Sequence, residues 1–195
     1  MRNTPKSRTR NNFGTVVLIL LAVSIVFGFV FDFVLTRIEY SIYPRPEEYA
    51  AYVEKYSARF YVPEELIWAV IKTESGFDAS AVSSAGAVGL MQLTEPTFKE
   101  ISNQRLKEGL DSGMRYDPET SIRYGTYYLS YLYARYGDWN TALAAYNGGL
   151  GNVDDWMGED EKLTLDEIPF RETKNYVKKV NRTMKKYKKL YASEK

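Results

Sequence analysis

Residues 63–76 read Pro63-Glu64-Glu65-Leu66-Ile67-Trp68-Ala69-Val70-Ile71-Lys72-Thr73-Glu74-Ser75-Gly76. A proline followed by two acids suits the first turn of a helix, where a missing N–H costs nothing and negative charge meets the positive end of the dipole. Ser75-Gly76 suits its end. The spacing predicts a helix over 63–74. Leu66, Val70 and Glu74 recur every four residues with Ile67 and Ile71 beside them, so they share one face. A carboxylate therefore terminates an apolar, core-facing stripe. Burial disfavours its charged form and raises its pKa, and the negative C-terminal end of the helix pushes the same way. A glutamate kept protonated near neutral pH can act as the general acid of glycoside cleavage. Periodicity by itself leaves a plainer alternative open, in which Glu74 turns outward to solvent.

Working outward, the chain reads as helices and little else. Pro46-Glu47-Glu48 opens one to about Tyr56, and Thr94 to about Ile101 forms another with Pro96 in its first turn. Asp117-Pro118-Glu119 opens a long helix that stops before Gly137. Trp139 to Tyr146 is stopped by Gly148-Gly149. A last helix runs from about Glu172 to Tyr191, with Tyr176, Val180, Met184, Tyr187 and Tyr191 at spacings of three and four. No alternating strand pattern appears. The expected fold class is mainly α.

The N-terminal segment is of a different kind. Phe13 to Phe31 is an uncharged run rich in Val, Leu, Ile and Phe. About 20 helical residues cross a bilayer core, and the run lacks the polar face of a core helix. Phe31-Asp32-Phe33-Val34-Leu35 offers no small-residue cleavage site. The reading is a basic cytoplasmic tail over 1–12, an uncleaved signal-anchor over 13–35, a linker over 36–46 and one globular domain over 47–195. Arg2, Lys6, Arg8 and Arg10 precede the span, so the positive-inside rule puts the domain outside the cytoplasm, on a single-pass chain.

Composition excludes whole classes of chemistry. The 195 residues contain no cysteine and no histidine. Disulfides, zinc–thiolate sites, cysteine nucleophiles and Ser-His-Asp triads are therefore ruled out. An acid/base catalyst must be a carboxylate, lysine or tyrosine, and the expectation is neither metal nor organic cofactor. Residues 36–170 carry 12 Lys/Arg against 22 Asp/Glu, whereas residues 171–195 carry 10 against 2. An acidic body argues against a nucleic-acid partner. The lysine-rich end reads as a solvated helix face.

From Glu74 the chain continues E-S-G-F-D-A-S-A-V-S-S-A-G-A-V-G-L-M-Q-L. Later come Ala145-Tyr146-Asn147-Gly148-Gly149, then Ile168-Pro169-Phe170-Arg171-Glu172-Thr173-Lys174-Asn175-Tyr176-Val177. In order and spacing these three pieces resemble the soluble lytic transglycosylase family, whose catalytic domain is related to goose-type lysozyme. The resemblance covers roughly residues 50–190. It implies a lysozyme-like helical domain with a sugar groove and peptidoglycan glycan strands as partner. It implies that Glu74 is the catalytic acid/base, that Gln92, Tyr146, Asn147, Glu172 and Tyr176 line the groove, and that Ser83 and Met91 lie nearby. The implied reaction cleaves the MurNAc–GlcNAc β-1,4 bond without water and leaves 1,6-anhydro-MurNAc ends. The sequence departs from the family at Thr94-Glu95-Pro96-Thr97, where the proline falls one residue late and Glu95 adds a carboxylate. That acid suits a helix first turn.

Each site residue also has a structural reading. Gly86 and Gly89 bracket a tight turn. Gln92 offers an amide donor and acceptor to a sugar. Glu172 is stabilising in a first turn whatever its function, and Trp68 and Trp139 suit a core. Two other functions stay open. A lysozyme-type hydrolase would use Asp78, Glu95 or Glu172 to hold water, and a catalytically idle domain would anchor an envelope complex to peptidoglycan. Ser24 and Gly28, four apart, give a weak signal for pairing of the span with an envelope protein.

Overall fold

Prolines and side-chain caps set several of the helix boundaries. The computed structural model describes residues 10–158 and 163–192, the first three by backbone alone. The chain divides into two units between Pro44 and Arg45. The first holds helix α1 (Arg10–Ile42). Its side chains from Phe13 to Leu35 are exposed all round, and the stretch Phe13–Ile42 is long and apolar enough to cross a membrane. The expected linker over 36–46 is corrected here. No proline or glycine interrupts residues 36–42, so the helix continues to Ile42 and leaves only 43–46 as connection. Of the expected basic tail, residues 1–9 lie outside the described residues.

The second unit contains α2 (Glu47–Phe60), α3 (Glu64–Glu74), α4 (Glu95–Lys99), α5 (Pro118–Tyr136), α6 (Trp139–Gly148), α7 (Leu150–Met157) and α8 (Arg171–Leu190). No strand occurs among the described residues; Val88 makes isolated bridges to Val82 and Leu93. Asp117 caps α5 by accepting from the Thr120 N–H at 2.8 Å, and Asp138 caps α6 by accepting from Thr141 N–H at 2.8 Å. Gly137 ends α5 at φ 64°. Two elements go beyond the sequence reading. Residues 100–105 continue α4 as a π-helical turn. Helix α7 follows Gly149, whose φ of 89° turns the chain rather than ending the helical region.

Helix α3 differs in kind from the expected one-sided stripe. Leu66 to Ile71 are six consecutive residues that are all buried, Trp68 included. Neighbours surround the helix, with α8 and α2 among those packed against it. Each such large side chain contributes roughly 1.5–3 kcal/mol through burial. Helix α5 packs between α2 and α6, and α6 in turn meets α8. The C-terminal end of α3 is thus held rigidly where α6 and α8 converge.

Candidate active site

Helix α3 leaves the core at Glu74, its last residue. Burial raises the Glu74 carboxyl to about 7, while an interaction with the Tyr176 hydroxyl and the positive charge of Lys179 pull it part of the way back. The side chain keeps some accessible surface, so it is desolvated yet reachable. The alternative of a glutamate turned into bulk solvent does not hold.

Three elements surround this carboxyl. Tyr176 projects from the second turn of α8 and is 8% exposed. Its hydroxyl is buried and finds no partner with full hydrogen-bond geometry. Burial first, and then the negative charge of Glu74, push its own pKa well up, so it stays a neutral O–H. Tyr146, near the end of α6, donates its hydroxyl to the Met91 carbonyl at 2.8 Å. Burial and the Glu74 charge raise its pKa as well. Lys179, one turn beyond Tyr176, lies 3.5 Å from the Thr73 carbonyl. A desolvated acid therefore faces two neutral phenols and one cation.

Residues 81–93 form a tight knot behind Glu74. The Ser75 hydroxyl donates to the Leu90 carbonyl at 2.9 Å and fastens the knot to the end of α3. Ser83 accepts from the Ala87 N–H at 3.0 Å. Gln92 stands at φ 48°, and its amide nitrogen donates to the Ala81 and Gly89 carbonyls at 3.1 and 3.0 Å. Its donors thus hold the loop instead of facing a groove. Met91, expected near the groove, is wholly buried; its side chain crowds Gly125, and it reaches the site only through its carbonyl.

Glu74, Tyr146 and Tyr176 are brought together. Asn147 and Glu172 are exposed at the adjoining ends of α6 and α8, and no hydrogen bond or ion pair joins either to Glu74 among the described residues. The sequence reading missed Arg115. This buried guanidinium donates to the Gly86 and Leu93 carbonyls, both at 3.2 Å, and to the Ser112 carbonyl at 2.8 Å, clamping the knot from outside. Nothing in local spacing signals a contact made across 22 to 29 residues. Ser75 and Lys179 were also missed; one occupies a helix end where a serine is unremarkable, the other a run of lysines.

The other candidate carboxylates have local duties. Asp78 accepts from the backbone and hydroxyl of Ser80 at 2.8 and 2.6 Å, which lowers its pKa. Glu95 pairs with Lys99 at 2.6 Å. Trp68 is in the core, and Trp139 stacks on Tyr133 with centroids 4.1 Å apart. No group of three acids placed to hold a metal ion occurs among the described residues.

Comparison with known proteins gives this arrangement its context. Residues 51–168 match the family model of the Transglycosylase SLT domain. The soluble lytic murein transglycosylase of Escherichia coli K12 is 34% identical over 142 residues, covering 69% of this chain and 22% of that protein. The membrane-bound lytic murein transglycosylase C of Edwardsiella ictaluri is 34% identical over 172 residues, covering 75% of this chain and 48% of that one. The chain thus spans less than half the length of these relatives. Among solved structures, an inactive glutamate-to-glutamine mutant of the lytic transglycosylase Slt from Pseudomonas aeruginosa superposes with a TM-score of 0.68 at 31% identity, over 77% of this chain and 25% of that one. That likeness extends to the lysozyme-like helical domain expected from sequence. By its motifs, its fold and its match over residues 51–168, the chain belongs to the Transglycosylase SLT domain family.

Proposed function

We propose that the chain is a membrane-anchored lytic transglycosylase that cleaves peptidoglycan glycan strands, with Glu74 as its acid/base. The observation that carries this reading is the Glu74 carboxyl, raised by burial to about 7 between two neutral tyrosines. At neutral pH a large fraction of it holds a proton, and giving up that proton restores a favourable interaction with Lys179. Such a group serves equally as acid and as base.

In this mechanism Glu74 protonates the oxygen that links MurNAc to GlcNAc, and the C1–O bond breaks with the electron pair leaving on that oxygen. The cationic sugar ring forms beside the carboxylate, steadied by its own N-acetyl group. Glu74 then takes the proton of the MurNAc C6 hydroxyl, whose oxygen closes onto C1 to give the 1,6-anhydro ring. One carboxyl performs both transfers, so no water enters the products. The Tyr176 hydroxyl beside Glu74, which has no partner with full hydrogen-bond geometry, is suited to donate to a sugar oxygen, while Gln92, Ser83 and Met91 shape the loop behind the site. Asn147 and Glu172, exposed at the ends of α6 and α8, would contact more distant sugars.

A hydrolase would need a second carboxylate to hold water. Asp78 and Glu95 are both engaged in local bonds, which leaves Glu172, exposed at the start of α8, as the remaining candidate for that role. The membrane-bound relative and helix α1 support membrane association. Orientation with the domain outside follows from the basic residues before the span. Digestion of purified peptidoglycan followed by mass spectrometry tests the chemistry. Products should carry anhydro-MurNAc ends, and Glu74→Gln should lower the rate by at least ~100-fold with the helical circular dichroism unchanged. Reducing MurNAc ends would make it a hydrolase, and full activity in the variant would remove Glu74 from the mechanism.

A further inference from the structure

Helix α8 carries a second concave surface, apart from the Glu74 site. Lys178, Arg182, Lys185 and Lys189 follow one another at steps of four, three and four, so they share one face over about 16 Å. With Asn140 of α6 and Leu165 they line a groove of about 750 Å³. Asn181 donates its amide to the Asn140 side-chain oxygen at 2.6 Å and fixes one wall. Tyr176 lies about 200° around the helix from Lys178, so the groove and the catalytic face point different ways.

The charges in this groove are unbalanced. None of Lys178, Arg182, Lys185 and Lys189 makes an ion pair among the described residues. Of the described acids just before α8, Asp166 lies 3.7 Å from Lys174 and Glu167 accepts from the Thr164 N–H at 2.6 Å, and neither forms an ion pair with these four cations. Like charges a turn apart repel, at a cost of a few tenths of a kcal/mol per pair. A convex lysine face would dissipate that repulsion into water. Here the cations line a groove that also has an apolar wall at Leu165 and an amide wall at Asn140 and Asn181, which suits an anion with an attached acyl or glycerol part.

We propose that this groove receives the headgroups of anionic phospholipids in the bilayer that holds α1. The proposal rests on the reading of α1 as a membrane anchor. Only residues 43–46 connect α1 to α2, at most about 14 Å of extended chain. A domain so tethered stays within reach of a headgroup layer; over an anionic surface each basic residue gains about fivefold in affinity, an attraction that fades within a Debye length of about 8 Å. A second tether of this kind would restrain the rotation of the domain about its linker.

The full chain reconstituted in nanodiscs provides the test. Lysine acetylation by a water-soluble reagent, read residue by residue by mass spectrometry, is compared between discs of phosphatidylcholine and discs that also contain phosphatidylglycerol. Lys178, Lys185 and Lys189 should react about fivefold more slowly in the anionic discs, with the difference erased by high salt and Lys107 unaffected. Equal reactivity in the two discs overturns the lipid contact while leaving the anchor intact. Equal protection in neutral discs by an added phosphate polymer or by soluble glycan fragments, without any effect of lipid, assigns the groove to another polyanion and overturns it too. A chain that fails to enter discs at all refutes the anchor, and the proposal falls with it.

Discussion

In the proposed mechanism Glu74 sets function against stability in a single side chain. Its folded-state pKa is about 7 against an ordinary value of 4.5. Below pH 4.5 it is protonated whether the chain is folded or not, and it costs the fold nothing. As the pH climbs the unfolded chain ionises first, and the native state loses stability relative to it. Above pH 7 the loss is complete, on the order of 3 kcal/mol. Glutamine has the shape of the protonated acid and never ionises. Glu74→Gln should therefore match the parent protein in Tm near pH 4 and exceed it by several degrees at pH 8. Thermal denaturation across that range checks this. A gap that is absent, or the same at every pH, would mean that burial does not control this carboxyl. The Tyr176 hydroxyl and Lys179 limit the penalty, which lets an acid this buried persist.

At the scale of elements, the site depends on the seating of the 81–93 knot, and that seating runs through Met91. Its side chain fills the space over Gly125 in α5, and its carbonyl receives the Tyr146 hydroxyl. A Cβ at Gly125 would overlap the sulfur, Cβ and Cε of Met91 at once. Because Met91 is wholly buried it has nowhere to swing. Gly125→Ala should cost about 1–3 kcal/mol by overpacking, and by shifting the Met91 backbone it should also reduce glycan cleavage. Adding Met91→Ala should restore part of the activity by freeing the space. Calorimetry and zymography of the single and double variants test the coupling, and a Gly125→Ala protein of unchanged Tm and activity would show the contact to be soft. Helices with caps were legible in sequence because a cap is a local signal. Asp117 and Gly137 each mark a boundary the structure reproduces. Helix α7 was not legible, since Gly149 and Gly151 read as breakers and only the tertiary burial of Val153 shows the segment is helical. Arg115 and the donors of Gln92 were equally hidden, because their partners are chosen by the folded loop and not by spacing.

For the whole molecule, sequence periodicity placed Glu74 correctly at the end of a buried helix, and the family motifs assembled it with Tyr146 and Tyr176. It could not show that α3 is enclosed on all sides, or that α8 is amphipathic in a further sense, with the face that carries Tyr176 turned to Glu74 and a cationic flank. Those are properties of neighbours. The apolar helix was legible because a span needs no neighbours to be recognised. Its exposed residues from Phe13 to Leu35 would be an aggregation hazard in water, and a bilayer removes that hazard. The proposed orientation, with the domain outside, rests on charge. Arg2, Lys6, Arg8 and Arg10 stand on one side of the span, and moving four cations across hydrocarbon is far costlier than moving the folded domain's chain through a translocation channel before it folds. In spheroplasts of a bacterial host, trypsin added outside should digest the unit that begins at Arg45 and leave a membrane-embedded fragment with the N-terminus intact. Changing the four basic residues to glutamine should weaken that preference and protect a fraction of the chains. If trypsin reached the domain only in inverted vesicles, the enzyme would face the cytoplasm, away from any peptidoglycan, and a lytic role would be untenable whatever the pKa of Glu74.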